Sequence, residues 1–262
     1  MALIKWDETG DRLYETGVDR GTLYVYDSDK KVYGTPTPWN GLTTVTETPS
    51  GAEPNAIYAD NIKYLELTSR EEFGGTIEAY TYPEEFAACD GSLSVGGLSV
   101  GQQARKQFAF SYRTRVGNDT QGDDHGYKLH VVFGAKAQPS EKTRSTVNDT
   151  PEPTTMSWTF TTTPSTFDFQ PDVVENLSAD LKEFAENLRP TSYFVFDSTK
   201  TDPAVMRSIE ELLWDTESGI KDAEQFLAQV FQLIQGEAEN EGSTGENEGS
   251  TGENEGSTGE NE

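Results

Sequence analysis

The densest collection of groups able to do chemistry is GNDTQGDDHGYKLH, from Gly117 to His130. Asp119, Asp123 and Asp124 could ligate a hard cation, and Asp124 with His125 could serve as an acid and base pair. A calcium loop wants glycine at its sixth position and a bidentate glutamate at its twelfth; counted from Asp119, those places hold Asp124 and His130. The spacing fails. The same residues suit a connection between a strand ending near Arg115 and one beginning near Lys128, because Gly, Asn and Asp supply positive φ and side-chain turns. His130 alternates with Leu129 and Val131 and reads as a strand residue.

The remaining candidates weaken in the same way. GSLSVGGLSVG, Gly91–Gly101, suggests a phosphate cradle, but no lysine follows at P-loop spacing, so a glycine-rich turn beside an edge strand is expected. Cys89 follows Phe86, Ala87 and Ala88, an apolar neighbourhood that raises a thiol's pKa, which points to structural burial. Asp7, Glu8, Asp11, Glu15, Glu47, Glu53, Glu71, Glu72, Glu84 and Glu85 offer many carboxylate pairs for a glycosidase, as any chain this acidic does. Zinc-ligand spacing and a GxSxG elbow are both missing from the sequence. The expectation is therefore no catalytic residue, no metal and no cofactor.

The formal charge is −26 over 262 residues; nine glutamates and no Lys or Arg lie between Glu237 and Glu262, leaving −17 on residues 1–236. An acidic surface repels phosphate, which disfavours tight nucleic-acid binding and docking on anionic lipid. A single cysteine excludes an intrachain disulfide. The opening MALIKWDETG lacks a signal-length apolar stretch, and no run is long enough to span a bilayer, so a cytoplasmic site of synthesis is expected.

Thirteen Phe, 11 Tyr and 4 Trp supply bulk for a core. From Gly21 to Phe196, β-branched and aromatic residues alternate with polar ones, cut by Gly, Pro, Asn and Asp. Strands are expected at 22–26, 62–67, 76–82, 108–115, 128–135, 157–162 and 193–196. Seven short strands suggest a mainly β fold (α+β), with two packed antiparallel sheets in a sandwich or open barrel and flanking helices. Pro83 opens a short helix over Glu84–Ala87. Val173, Val174, Leu177, Leu181, Phe184, Ala185 and Leu188 share one face of a second helix. Asp202 as N-cap and Pro203 at the first position open a third, burying Val205, Met206, Ile209, Leu212 and Leu213. Ile220, Ala223, Phe226, Leu227, Val230, Phe231 and Ile234 make a fourth.

The organisation is read as a β domain over 1–200, a helical segment over 201–236 and an acidic tail over 237–262. In the tail ENEGSTG begins at Glu239, Glu246 and Glu253, and no position of the unit is apolar. A coiled-coil seam is impossible, and disorder is expected.

Long ordered blocks carry a resemblance. DRLYETGVDRGTLY (Asp11–Tyr24), PWNGLTTVTETPSGAEPNAIYADNIKYLEL (Pro38–Leu67), EEFGGTIEAYTYPEEFAACDG (Glu71–Gly91), GQQARKQFAFSYRTRVGNDTQGDDHGYKLH (Gly101–His130), the PSE at Pro139 and NDTPEPTTMSW (Asn148–Trp158) look like the major tail protein of siphophages. The likeness runs with gaps from about residue 11 to about 162, and FDSTKTDP (Phe196–Pro203) extends it. The helix near Val173–Leu188, the run after Gly219 and the repeat depart from that pattern. The resemblance implies a tail-tube fold: six copies closing into a ring, and rings stacking into a virion tail assembled in the host cytoplasm. Its implied partners are other copies of itself, the tape measure protein, the tail terminator and baseplate or distal tail proteins, with DNA passing through the lumen unbound.

An open sandwich leaves edge strands whose unpaired N–H and C=O groups can pair with a neighbouring copy. Head-to-tail contacts close into rings, while axial contacts that do not close give a filament. The long segment Thr35–Ala56 is the expected stacking element, with Trp39 and Leu42 as apolar anchors; the alternative is that it folds back on its own domain. Arg105, Arg113 and Arg115 are placed toward subunit contacts. Rival readings are the tube of a contractile injection or secretion system, a carbohydrate-binding module of a host-recognition structure, and a glycosidase.

Overall fold

The computed structural model describes residues 4–144, 146, 149, 153–216 and 220–245. Fifteen strands follow in order: β1 Tyr14–Asp27, β2 Val32–Tyr33, β3 Thr37–Trp39, β4 Leu42–Glu47, β5 Ser50–Gly51, β6 Pro54–Ala59, β7 Ile62–Thr68, β8 Glu71–Glu72, β9 Gly74–Ala79, β10 Leu93–Val95, β11 Leu98–Val100, β12 Phe108–Asn118, β13 Gly122–Ala137, β14 Met156–Thr162 and β15 Tyr193–Asp197. A 3-10 turn spans Glu84–Ala88, and the α-helices are α1 Pro171–Glu175, α2 Ala179–Asn187, α3 Pro203–Trp214 and α4 Ala223–Gly245. All seven expected strands are present, and the fold is mainly β, as the alternation implies.

Nine strands form one antiparallel sheet in the order β2-β1-β12-β13-β14-β9-β4, with β3 added to β1 and β15 to β13. Strand β13 serves two halves of it. Its Lys128–Val132 stretch pairs with β15, and Ala135–Ala137 pairs with β14. Between them Gly134 has φ +69°, and a Cβ there would lie 2.4 Å from the Thr163 carbonyl oxygen. Only glycine tolerates that backbone and that approach, so the strand turns at this point and carries the sheet over on itself.

The two faces of the central strands feed different cores. Phe108, Phe110 and Tyr112 of β12 and Val132 of β13 point into the sandwich, beside Leu23, Trp39, Ile77, Phe86, Trp158 and Phe160. The intervening Ala109, Leu129, Val131 and Phe133 point the other way, onto Val205, Met206, Ile209 and Leu213 of α3 and Phe226 and Val230 of α4. The helical segment after residue 200 is therefore one wall of the sheet's second core. The Tyr24 hydroxyl crosses this layer to donate to the Leu213 carbonyl at 2.8 Å, which satisfies a fully buried polar group.

The helix boundaries refine the expectations. Asp202 caps α3, its carboxylate accepting from the Ala204 N–H at 2.6 Å. The single helix expected over Val173–Leu188 is two, because Ser178 caps a fresh start by accepting from the Leu181 N–H at 3.5 Å. Leu177, Leu181, Ala185 and Leu188 pack on Leu227 and Phe231 as their spacing implies, but Phe184 is exposed. Helix α4 runs on to Gly245, past the boundary set at Gly236; Glu237–Glu239 are good helix formers, and extending an existing helix avoids the cost of nucleation. The rest of the repeat, 246–262, lies outside the described residues. Among the described residues no helix is long and apolar enough to cross a membrane.

Trp39 contacts Phe86, Phe110 and Trp158 at ring-centroid distances of 4.5, 5.6 and 5.5 Å. Trp39→Ala is expected to cost about 3–5 kcal/mol in urea unfolding, whereas Tyr58→Ala, at an exposed position, should stay within about 0.5 kcal/mol of the parent.

Candidate assembly interface

Trp39 is 2% exposed, and its indole N–H donates to the Thr81 carbonyl at 2.9 Å. It cannot anchor a neighbouring copy. The expected long loop Thr35–Ala56 contains β3, β4, β5 and the start of β6, so at Trp39 the chain folds back on its own domain. Leu42 is half-buried against the same core, close enough to Gly21 that a Cβ there would meet its Cδ1 at 2.3 Å. Both residues line a groove of about 650 Å³ with Pro36, Pro38, Arg20 and Trp214, in which Arg20 lies 5.2 Å over the Trp214 ring.

What projects instead is the chain that follows. Strands β4 and β9 pair inside the sheet up to Glu47↔Gly75, β5 pairs with β8, and β6 pairs with β7 from Pro54↔Thr68 to Ala59↔Ile62. The result is one long hairpin whose outer half is an arm. Asp60 and Asn61 both have positive φ, 50° and 63°, the backbone of a tight two-residue hairpin turn. Ile57, Tyr58, Ile62, Tyr64, Leu65 and Leu67 are all exposed, Tyr58 and Tyr64 by two-thirds. Ile57 faces Leu65 and Asn55 faces Leu67, which places Ile57, Leu65 and Leu67 on one face, while Tyr58, paired with Lys63, lies on the other; the extra residue Tyr64 shifts the register. Asp60-Asn61 between alternating runs was the available sequence signal for this hairpin, and it outweighs the prolines that suggest a loop.

The arm is rooted in a polar cluster. Glu47, the last residue of β4, accepts from the hydroxyls of Tyr112 at 2.7 Å and Tyr193 at 2.6 Å. Glu15 of β1 accepts from Thr114 at 2.6 Å and from Lys128 at 2.5 Å. His130 sits between the two carboxylates, with Nε2 2.8 Å from Thr114 Oγ1 and Nδ1 2.6 Å from the Tyr193 hydroxyl. Its ring lies flat on Tyr112, centroids 4.6 Å apart at 1°. Burial pushes the imidazole below its ordinary value, against the pull of Glu47 and Glu15. A neutral ring must accept at one nitrogen, so either Thr114 or Tyr193 turns its proton from a carboxylate toward the ring. Burial raises Glu15, but the hydrogen bonds from Lys128 and Thr114 outweigh it and leave that carboxyl below its usual range. His130 is 5% exposed and stacked, which leaves no face for a substrate. The cluster instead binds β4 to β1, β12, β13 and β15.

The other sequence candidates are occupied locally. In the turn joining β12 to β13, Asn118 Oδ1 accepts from the N–H groups of Thr120 and Gln121. Asp119 accepts from the Gly10 N–H at 2.9 Å, Asp123 from the Tyr14 hydroxyl at 3.0 Å, and His125 Nδ1 lies 2.8 Å from Gln121 Oε1. Among the described residues no three His, Cys, Asp or Glu side chains gather to hold a metal. Cys89 is buried, and burial pushes its thiol up to about 12. Arg113 makes two bonds to Asp19, at 2.7 and 2.8 Å, holding that carboxyl below its usual range. Arg115 lies 3.5 Å from the same carboxylate, and Arg105 donates to the Ala137 carbonyl at 3.2 Å. Arg105, Arg113 and Arg115 are thus all engaged within the chain, and Arg115 keeps a half-exposed side chain.

No protein-family model matches this chain, and comparison with curated proteins finds no significant relative.

The cluster makes stability depend on pH with a definite sign. A histidine held below its ordinary pKa binds its proton more readily when unfolded, so its contribution is complete above about pH 6.5 and declines as pH falls toward the folded value. Glu15, also held low, adds a second loss in the same direction as pH falls through the carboxylate range. Unfolding free energies from urea titrations should therefore fall as pH drops below about 6.5, with a slope of up to ~1.4 kcal/mol per pH unit from His130, and His130→Gln should flatten that segment while keeping the lower one.

Proposed function

We propose that this chain is a structural subunit that polymerises through its own surfaces into rings stacked as a hollow tube, the tail tube of a long non-contractile phage tail, and that it performs no catalysis. The observation that carries this reading is the arm: a paired hairpin on which Ile57, Tyr58, Ile62, Tyr64, Leu65 and Leu67 are all exposed, by 38 to 68%. So many exposed apolar side chains on one hairpin suit a contact surface, and a hairpin already paired presents them with little backbone ordering left to do on contact.

Other features support the same reading. Strand β15 pairs only with β13 and β4 only with β9 among the described residues, leaving each a margin able to accept a further strand. The block resemblance to siphophage major tail proteins covers the β sandwich and the arm. A charge of −17 on residues 1–236 suits a conduit, since carboxylates repel the DNA phosphates, within a screening length of about 10 Å. On this reading the tape measure protein occupies the lumen during assembly, terminator and distal tail proteins close the ends, and DNA transits without specific binding.

Purified protein examined by negative-stain microscopy should show rings or tubules. Tyr64→Asp with Leu67→Asp should abolish them while shifting urea unfolding of the subunit by no more than about 0.5 kcal/mol, since both residues are exposed. Tubes of unchanged length from that variant would sink the assignment of the arm.

A further inference from the structure

A second hairpin, independent of the arm, is exposed in the same unsatisfied way. Strands β10 and β11 pair Leu93↔Val100, Ser94↔Ser99 and Val95↔Leu98, around Gly96 and Gly97, whose φ values of 55° and 86° make the tight two-residue turn. Side chains alternate across a strand pair, so Leu93, Val95, Leu98 and Val100 share one face. The other face carries Ser94 and Ser99, hydrogen-bonded to each other at 3.1 Å. The four apolar residues are 64, 73, 64 and 47% exposed. A hairpin that merely decorated a surface would turn its apolar side down; this one turns it to solvent. Its base is fixed, with the Ser92 N–H donating to the Ala87 carbonyl at 2.8 Å and the Gln103 N–H to the Gly91 carbonyl at 3.0 Å.

We infer that the Leu93–Val95–Leu98–Val100 face is a contact surface for a second copy of this chain; the inference rests on the self-assembly reading and adds to it a contact distinct from the arm. Charge selects the occupant. From Gly91 to Ala104 no residue is charged, in a protein whose residues 1–236 carry −17. Two copies of so acidic a protein repel wherever their general surfaces meet, and they approach at least cost through uncharged patches. A basic partner would instead be drawn to the carboxylate-rich surface and would gain nothing here. Size points the same way. A stable pairwise contact needs roughly 800 Å² per partner, more than one four-residue hairpin face supplies. In a ring the same small contact recurs at every subunit, and closure multiplies it.

Two measurements on the full chain test this. Val95→Glu with Leu98→Glu places two carboxylates on the face without touching the buried core, so circular dichroism and urea unfolding should match the parent. The concentration needed for rings or tubules, read by sedimentation and negative stain, should rise at least tenfold. Separately, Leu98→Cys labelled with a benzophenone maleimide should give, on irradiation of the assembly, a product of twice the subunit mass; the buried Cys89 thiol leaves the introduced cysteine as the reactive one. If the parent chain forms no oligomer at any concentration, the self-assembly reading falls and takes this surface with it. If the parent assembles but the glutamate variant assembles equally well, or photolabelling gives no dimer product, the hairpin surface alone is overturned and the arm stands.

Discussion

Strands β12 and β13 carry apolar side chains on both faces, and the rest of the fold follows from having to cover them twice. One face is closed by the sheet folding over on itself at Gly134, so that Phe108, Phe110 and Tyr112 meet Trp39, Ile77 and Trp158. The other has no strands left to close it. Helices α3 and α4 do so, packing Ile209, Leu213 and Phe226 on Leu129, Val131 and Phe133. Each buried aromatic or aliphatic side chain contributes on the order of 1.5–3 kcal/mol by leaving water, so neither layer is dispensable. The helices complete the core that the β region opens.

Because the two cores absorb most of the large apolar residues, those left outside stand out. They concentrate in the arm and in the β10–β11 hairpin, with Ile4, Trp6 and Leu13 near the start of the described chain. Both hairpins have fixed turns, with positive φ at Asp60 and Asn61 in one and at Gly96 and Gly97 in the other, and both are anchored to the sandwich by backbone hydrogen bonds. The remaining surface is acidic. A molecule that is repulsive over most of its area and sticky at a few rigid places associates in few orientations, which is the condition for an ordered polymer rather than an aggregate.

The Glu15–His130–Glu47 cluster belongs to this arrangement as a fastening. Glu47 ends the strand that becomes the arm, and through Tyr112, Tyr193 and His130 it is tied to both halves of the sheet. A force on the arm is therefore carried into strands β12, β13 and β15. Placing two carboxylates and an imidazole at the edge of the core costs desolvation, and the hydrogen bonds from Thr114, Lys128, Tyr112 and Tyr193 offset part of that cost.

What the sequence determined by itself was whatever depends on local order. Period-two alternation located seven strands; Asp202-Pro203 marked the start of α3; and the Gly, Asn and Asp run after Arg115 was legible as a turn, its side chains engaged by Gly10, Tyr14 and backbone N–H groups. Burial was harder. Trp39 reads as an anchor because it is an aromatic residue in a segment too long for an ordinary hairpin loop, and only the tertiary structure set β3 beside β1 and sent its indole into a cluster assembled from Phe86, Phe110 and Trp158, residues 47 to 119 positions away. Composition cannot distinguish an aromatic residue that fills a core from one that seeks a partner; that depends on which strands pair, and pairing is non-local. For the same reason Ile57, Tyr64 and Leu67 gave no sign of being outside, although their alternation is that of any strand, because exposure is decided by what the fold fails to bring near them.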